Sequence, residues 1–156
     1  MLHLPAITAL AGFLLLAQSE PEKALRRAVQ LQQDGDLKGA IEQYQALLAQ
    51  NPDLAEARVK LGDAYASSGR YQDAVAQYEQ ALESGGLENP AGARYALGLA
   101  HFRMADFERA KQVLVQVVAA GSKGRESLQL LASCHFNLGE WQKVIDLLSP
   151  LEMELS

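Results

Sequence analysis

Residues 61–65 read Leu61-Gly62-Asp63-Ala64-Tyr65, Gly69-Arg70-Tyr71 follow, and Ala74, Tyr78 and Ala81 come after at helical intervals. Slid along the chain by 34 positions, this stretch meets itself. Gly35 falls on Gly69, Ala40 on Ala74, Ile41 on Val75, Tyr44 on Tyr78 and Leu48 on Leu82. A shift of 36, with two extra residues near Asn89-Pro90, carries Leu61-Gly62 onto Leu97-Gly98, Tyr65 onto His101, Tyr71 onto Phe107 and Ala74 onto Ala110. A last shift of 34 takes Leu97 to Leu131, Gly98 to Ala132, His101 to His135, Phe107 to Trp141 and Leu114 to Leu148. Four copies result, at about 21–54, 55–88, 91–124 and 125–156. A period of this length marks stacked units, each burying its apolar face only against its neighbours.

Each copy reads as two helices. Val59, Leu61-Gly62 and Tyr65 hold one apolar face, and Val75, Tyr78, Ala81 and Leu82 hold its partner's. Gly62 and Ala74 are small because helices about 8–10 Å apart need small residues where they cross. Gly69 suits the left-handed turn that ends the first helix. Asn51-Pro52 and Asn89-Pro90 pair a capping residue with a proline suited to the first turn, Ser19 with Glu22 forms a capping box around Pro21, and Ser122 stands ready to cap the seventh helix. Pro150 is expected to kink the last helix or restart it at Ser149. The helices are expected at about 22–34, 38–50, 53–68, 71–84, 90–104, 107–120, 123–137 and 140–154. The fold class is all-α.

The second copy closely resembles the tetratricopeptide repeat, and the resemblance extends over everything after about residue 20. It implies an α-solenoid of four helical hairpins with a right-handed superhelical turn. It also implies a concave face lined by the first helix of each pair, where members of the family hold protein or peptide partners. On that face the resemblance places Leu25 and Val29, then Val59 and Asp63, then Tyr95, Leu99, Phe102 and Arg103, then Gln129, Ser133, Phe136 and Asn137. Phe102 and Phe136 have an alternative, packing into the turn of a neighbouring pair. Some members clamp chaperone C-terminal carboxylates with lysines, asparagines and an arginine. At the matching places this chain has Leu25, Val29, Lys60, Gly92 and Ala96, so that activity is not implied.

Hydrophobic residues make up 49% of the 156 positions, much of it alanine and leucine, the strongest helix formers. The net charge of −5 and the lack of a basic stripe argue against nucleic-acid binding; Lys23, Arg26 and Arg27 are the nearest to a cluster. Cys134 is the single cysteine, so no internal disulfide forms. His101 and His135 lie one repeat apart, about 10 Å on interhelix spacing, far beyond a shared metal's bonds of about 2 Å. They read as inner packing residues, like Tyr65. Cys134 reads as a buried thiol and not as a nucleophile served by His135, because adjacent residues on a helix point apart. No phosphate-binding loop, HExxH or GxSxG motif occurs, and the carboxylates read as scattered over polar helix faces. No cofactor, metal or catalytic activity is expected.

Leu4–Ala17 reads LPAITALAGFLLLA, with no charge before Glu20. It fits the apolar run of an export signal cut after Ala17 or, uncut, a short anchor. The usual basic start is missing, with only His3 near Met1, and no cysteine follows the run as in a lipoprotein. A docked capping helix is the remaining alternative, disfavoured because the run is apolar on every face. The expected organisation is a leader or anchor over 1–17 and a repeat domain over 19–156, exported to the periplasm or beyond. The last copy lacks a polar closing helix before Ser156, so an exposed C-terminal face around Trp141, Leu148 and Leu151 is expected. That face could serve as a dimer surface in an envelope assembly, or mark part of a longer array.

Overall fold

The computed structural model describes residues 20–122 and 124–153. Among them are eight helices and no strand: α1 Glu20–Gln33, α2 Leu37–Gln50, α3 Ala55–Ser67, α4 Tyr71–Ser84, α5 Pro90–Arg103, α6 Phe107–Ala119, α7 Gly124–Asn137 and α8 Trp141–Met153. Every boundary lies within two residues of expectation. The apolar segment 4–17 and the Ser19 cap lie outside the described residues.

Each helix packs on the next in the chain, and the first helices of successive pairs also touch: α1 with α3, α3 with α5 and α5 with α7. No two second helices meet in this way among the described residues. The array therefore bends toward its first helices and makes them the inner face of an α-solenoid.

The crossing within each pair is as tight as its small residues allow. Ala40, Ala74 and Ala110 are fully buried at equivalent positions. A Cβ on Gly62 would lie 2.6 Å from Tyr78 Cε1, and one on Gly98 would lie 2.8 Å from Leu114 Cγ. The core falls into two clusters. One gathers Ala28, Tyr44, Leu61, Tyr65, Tyr78, Leu97 and Ala100 with their neighbours. The other gathers Ala110, Leu114, Leu131 and Cys134, flanked by Phe102, Leu130 and Leu147. Helix α5 lies between them and contributes to both.

Three capping expectations change. Asn51 does not start α3. Its backbone N–H closes α2 onto the Leu47 carbonyl, its side chain donates to the same oxygen, and Leu54 stands at the N-cap without a side-chain bond. Ser122 is engaged through its carbonyl, which accepts the Ser127 hydroxyl. Pro150 does not restart the helix, since α8 runs from Trp141 to Met153. Proline's fixed φ is itself helical, so near a helix end the loss is one backbone hydrogen bond. The Ser149 hydroxyl donates back to the Ile145 carbonyl and caps nothing. Asn89 behaves as read, accepting the Gly92 N–H at 3.0 Å with Pro90 in the first turn.

The turn inside each hairpin needs one left-handed residue. Gly35, Gly69 and Gly139 supply it in three copies; the third uses Ala105, at φ 60°. An L-residue there costs about 1–2 kcal/mol, partly offset by alanine's smaller chain entropy when unfolded. Ala105→Gly is therefore expected to stabilise the protein by about 0.5–1 kcal/mol. A denaturation midpoint that is unchanged or lowered would show that the turn carries no such strain.

Candidate functional site

Because α1, α3, α5 and α7 share the inner face, a cleft opens between each successive pair. The α1/α3 cleft, of about 490 Å³, is lined by Val29, Gln32, Gln33, Lys60, Asp63 and Ser67. The α3/α5 cleft has two lobes. One, of about 410 Å³, is walled by Asp63, Tyr71, Tyr78, Tyr95, Leu99 and Arg103. The other, of about 650 Å³, opens toward the helix starts and takes in Asp53, Glu56, Val59, Lys60, Asp63, Glu88 and Tyr95. The α5/α7 slot, of about 410 Å³, is lined by Phe102, Gln129, Ala132, Ser133, Phe136, Asn137, Val144 and Leu148. Polarity thus changes along the groove, from amides and charges at α1/α3 to an aromatic and aliphatic slot at α5/α7.

Of the residues assigned to the groove from sequence, all but Leu25 line these clefts. Leu25 is half-buried against the N-terminal core cluster. The two phenylalanines divide between the readings. Phe102 lines the slot but is half-buried against the C-terminal core and meets Phe107 edge-to-face at 5.3 Å. Phe136 is 56% exposed and meets Trp141 at 4.8 Å in the equivalent way.

Asp63 lies on the walls of three of these cavities. Its Oδ1 accepts the Tyr78 hydroxyl at 2.8 Å, and its Oδ2 stands 4.0 Å from Lys60 Nζ. Burial holds the carboxyl above its ordinary value, against the opposing pull of the Tyr78 hydroxyl and of Lys60. The Tyr78 phenol is pushed upward by burial, then by the charge and hydrogen bond of Asp63. The sequence reading missed the acidic gathering here: the fold collects Asp53, Glu56, Asp63 and Glu88 around one cleft. The signal was the two-residue insertion before Asn89-Pro90, which lengthens the loop that brings Glu88 over the cleft.

The histidines lie in the packed interior. His101 is 3% exposed, and its Nδ1 has no hydrogen-bond partner, with Asp106 Oδ2 3.6 Å away. Burial lowers its pKa, opposed by the charges of Asp106 and Glu79. His135 bonds Glu140, which also accepts Lys111 at 3.0 Å and so ties the third pair to the fourth. These partners hold the Glu140 carboxyl down at about 2, His135 first and Lys111 second. Cys134 is fully buried, and burial raises its thiol to about 11, which keeps it in the unreactive form. Among the described residues no group of His, Cys, Asp and Glu is placed to hold a metal ion.

Stacked hairpins with a continuous inner groove define a helical-repeat solenoid. The chain is a tetratricopeptide-repeat protein: the sequence model of the tetratricopeptide repeat matches residues 25–89. A second model, that of anaphase-promoting complex (cyclosome) subunit 3, matches residues 78–151. No curated protein matches the chain. Among solved structures it is similar to YrrB, described as a TPR protein with an unusual peptide-binding site, at 22% identity and TM-score 0.72, over 81% of this chain and 64% of that one. It is also similar to a MamA protein, at 25% identity and TM-score 0.75, over 83% of this chain and 69% of that one. The TPR domain of Sgt2 from Aspergillus fumigatus matches at 23% identity and TM-score 0.68, over 81% of this chain and 83% of that one. The chain therefore spans just under two thirds of YrrB.

Proposed function

We propose that this protein is a non-catalytic interaction module that holds a peptide or protein segment along the inner groove, and that it works outside the cytoplasm in the cell envelope. The observation that carries the binding reading is the run of three open clefts on the inner face, ending in a slot where Phe136 stands 56% exposed. Exposed apolar surface rimmed by polar groups marks interaction sites. The fold's likeness to YrrB, described as having a peptide-binding site, agrees with this reading. Phe136→Ala is expected to weaken partner capture about 30-fold, equivalent to about 2 kcal/mol at a hot spot, while melting stays nearly unchanged. Phe102→Ala should weaken capture and also lower the melting temperature, because its ring belongs partly to the core. Full-affinity capture by a folded Phe136→Ala variant would remove the groove from consideration.

Export rests on the uncharged apolar run Leu4–Ala17. Among the described residues no helix is long and apolar enough to cross a membrane. Expressed in a bacterium with an export pathway, the chain is expected to lose about its first 17 residues, by intact mass. An uncut chain in the cytosol would reject export, and an uncut chain in the membrane fraction would select the anchor.

A second reading, self-association through the last pair, is favoured by one comparison. Ile145 is 57% exposed, whereas Ile41 at the equivalent position, covered by the following pair, is 8% exposed. Solution mass distinguishes it: a dimer that Ile145→Glu reduces to monomer would support it.

A further inference from the structure

We propose that the partner seats a lysine or arginine side chain in the α3/α5 cleft against Asp63, and a bulky apolar side chain in the neighbouring α5/α7 slot. This rests on the groove reading and specifies the chemistry of the segment bound there. The larger lobe of the α3/α5 cleft gathers four carboxylates, Asp53, Glu56, Asp63 and Glu88, against a single ammonium, Lys60. Lys60 reaches Asp63 only at 4.0 Å and from a solvated position, where an ion pair is weak and readily exchanged. Asp53, Glu56 and Glu88 make no side-chain hydrogen bond or ion pair with the described residues. The larger lobe thus carries an excess of negative charge, and it faces the space a ligand enters.

Asp63 is positioned for the task. Its carboxylate is fixed by the Tyr78 hydroxyl at 2.8 Å and partly withdrawn from water, so a cation gains more there than at an open surface. Tyr71 and Tyr95, both partly exposed, wall the same cleft, and aromatic rings add their own attraction for a cation. Arg103 does not neutralise this end. It stands on the wall of the smaller lobe and is absent from the larger one, where the carboxylates gather.

The next slot along the groove carries no charge. Its walls are Phe102, Phe136, Val144 and Leu148 with small and amide-bearing neighbours. Adjacent clefts are one helix apart, about 8–10 Å. A polyproline-type peptide advances about 3.1 Å per residue and returns to the same face every third residue. Basic and apolar residues three positions apart therefore reach both clefts from one side of an extended peptide.

Panning a random dodecapeptide phage library on the full chain tests this. Enriched peptides are expected to carry Lys or Arg three positions from Phe, Leu, Ile or Trp. A synthetic copy should lose at least about tenfold in affinity with Asp63→Asn and weaken as salt rises. Asparagine still accepts the Tyr78 hydroxyl, so a circular-dichroism melt should be near that of the parent. If that variant does not fold, Glu56→Gln with Glu88→Gln, both at exposed positions, should weaken binding about threefold. Acidic or uncharged peptides that still lose binding on Phe136→Ala would overturn the basic ligand and leave the groove standing. Peptides indifferent to the groove substitutions, or no enrichment at all, would overturn both.

Discussion

Gly62→Leu is expected to cost about 3 kcal/mol, the upper part of the usual range for overpacking. The added Cβ alone would come within 2.6 Å of the Tyr78 ring. That ring is 2% exposed and is held from its far end by the hydrogen bond to Asp63, so it has nowhere to swing. The helices must separate instead, and Ala74, fully buried in the same pair, loses its close packing. Ala74→Leu should act in the same direction. Urea denaturation followed by circular dichroism checks both; midpoints equal to that of the parent would mean that the crossing is looser than described.

Leu114→Ala is expected to cost a similar amount, about 3 kcal/mol, by the opposite mechanism. Leu114 is fully buried, and Gly98 leaves no side chain opposite to fill the void. Large-to-small changes at such sites cost about 2–5 kcal/mol, more where the surroundings cannot collapse. The location of the damage should also differ. Gly62 belongs to the pair built around the N-terminal core cluster, and Leu114 belongs to the C-terminal one. Repeat arrays are stabilised by near-neighbour terms, so each substitution should loosen its own half first. Hydrogen exchange should show early loss of protection in α3 and α4 for Gly62→Leu, and in α6 to α8 for Leu114→Ala. Uniform loss across all eight helices in both variants would refute a divided core.

The hairpins were legible from sequence because four copies repeat the same demand. A small residue at Gly62 or Gly98 and a glycine at Gly35, Gly69 or Gly139 each answer a steric need that recurs at fixed spacing. Ala105 could be aligned with those glycines, but only the backbone shows that it adopts their conformation. Caps were less legible. Asn51 and Asn89 look alike beside a proline, yet one closes a helix and the other opens one, because the loop between decides which end it meets. The groove residues were placed by the resemblance to the tetratricopeptide repeat, which implies an inner face, and the register carried that face from copy to copy. Two facts escaped it. The half-buried state of Phe102 depends on Phe107 across the turn. The meeting of Asp53 and Glu88 with Asp63 depends on loops from different repeats. Periodicity says which way a helical residue points, and it says little about residues outside the helices.

The divided core also has a mechanical consequence. A chain pulled from its two ends is expected to meet two successive barriers in place of one. With α5 shared between the clusters, the segment α6–α8 is expected to peel away first, Val113 leaving the N-terminal cluster, while α1–α5 stays folded. Its release would add roughly 150 Å of extended chain, at about 3.4 Å per residue, before the remainder yields. Under tension the protein would lengthen in two discrete steps and behave as an extensible tether.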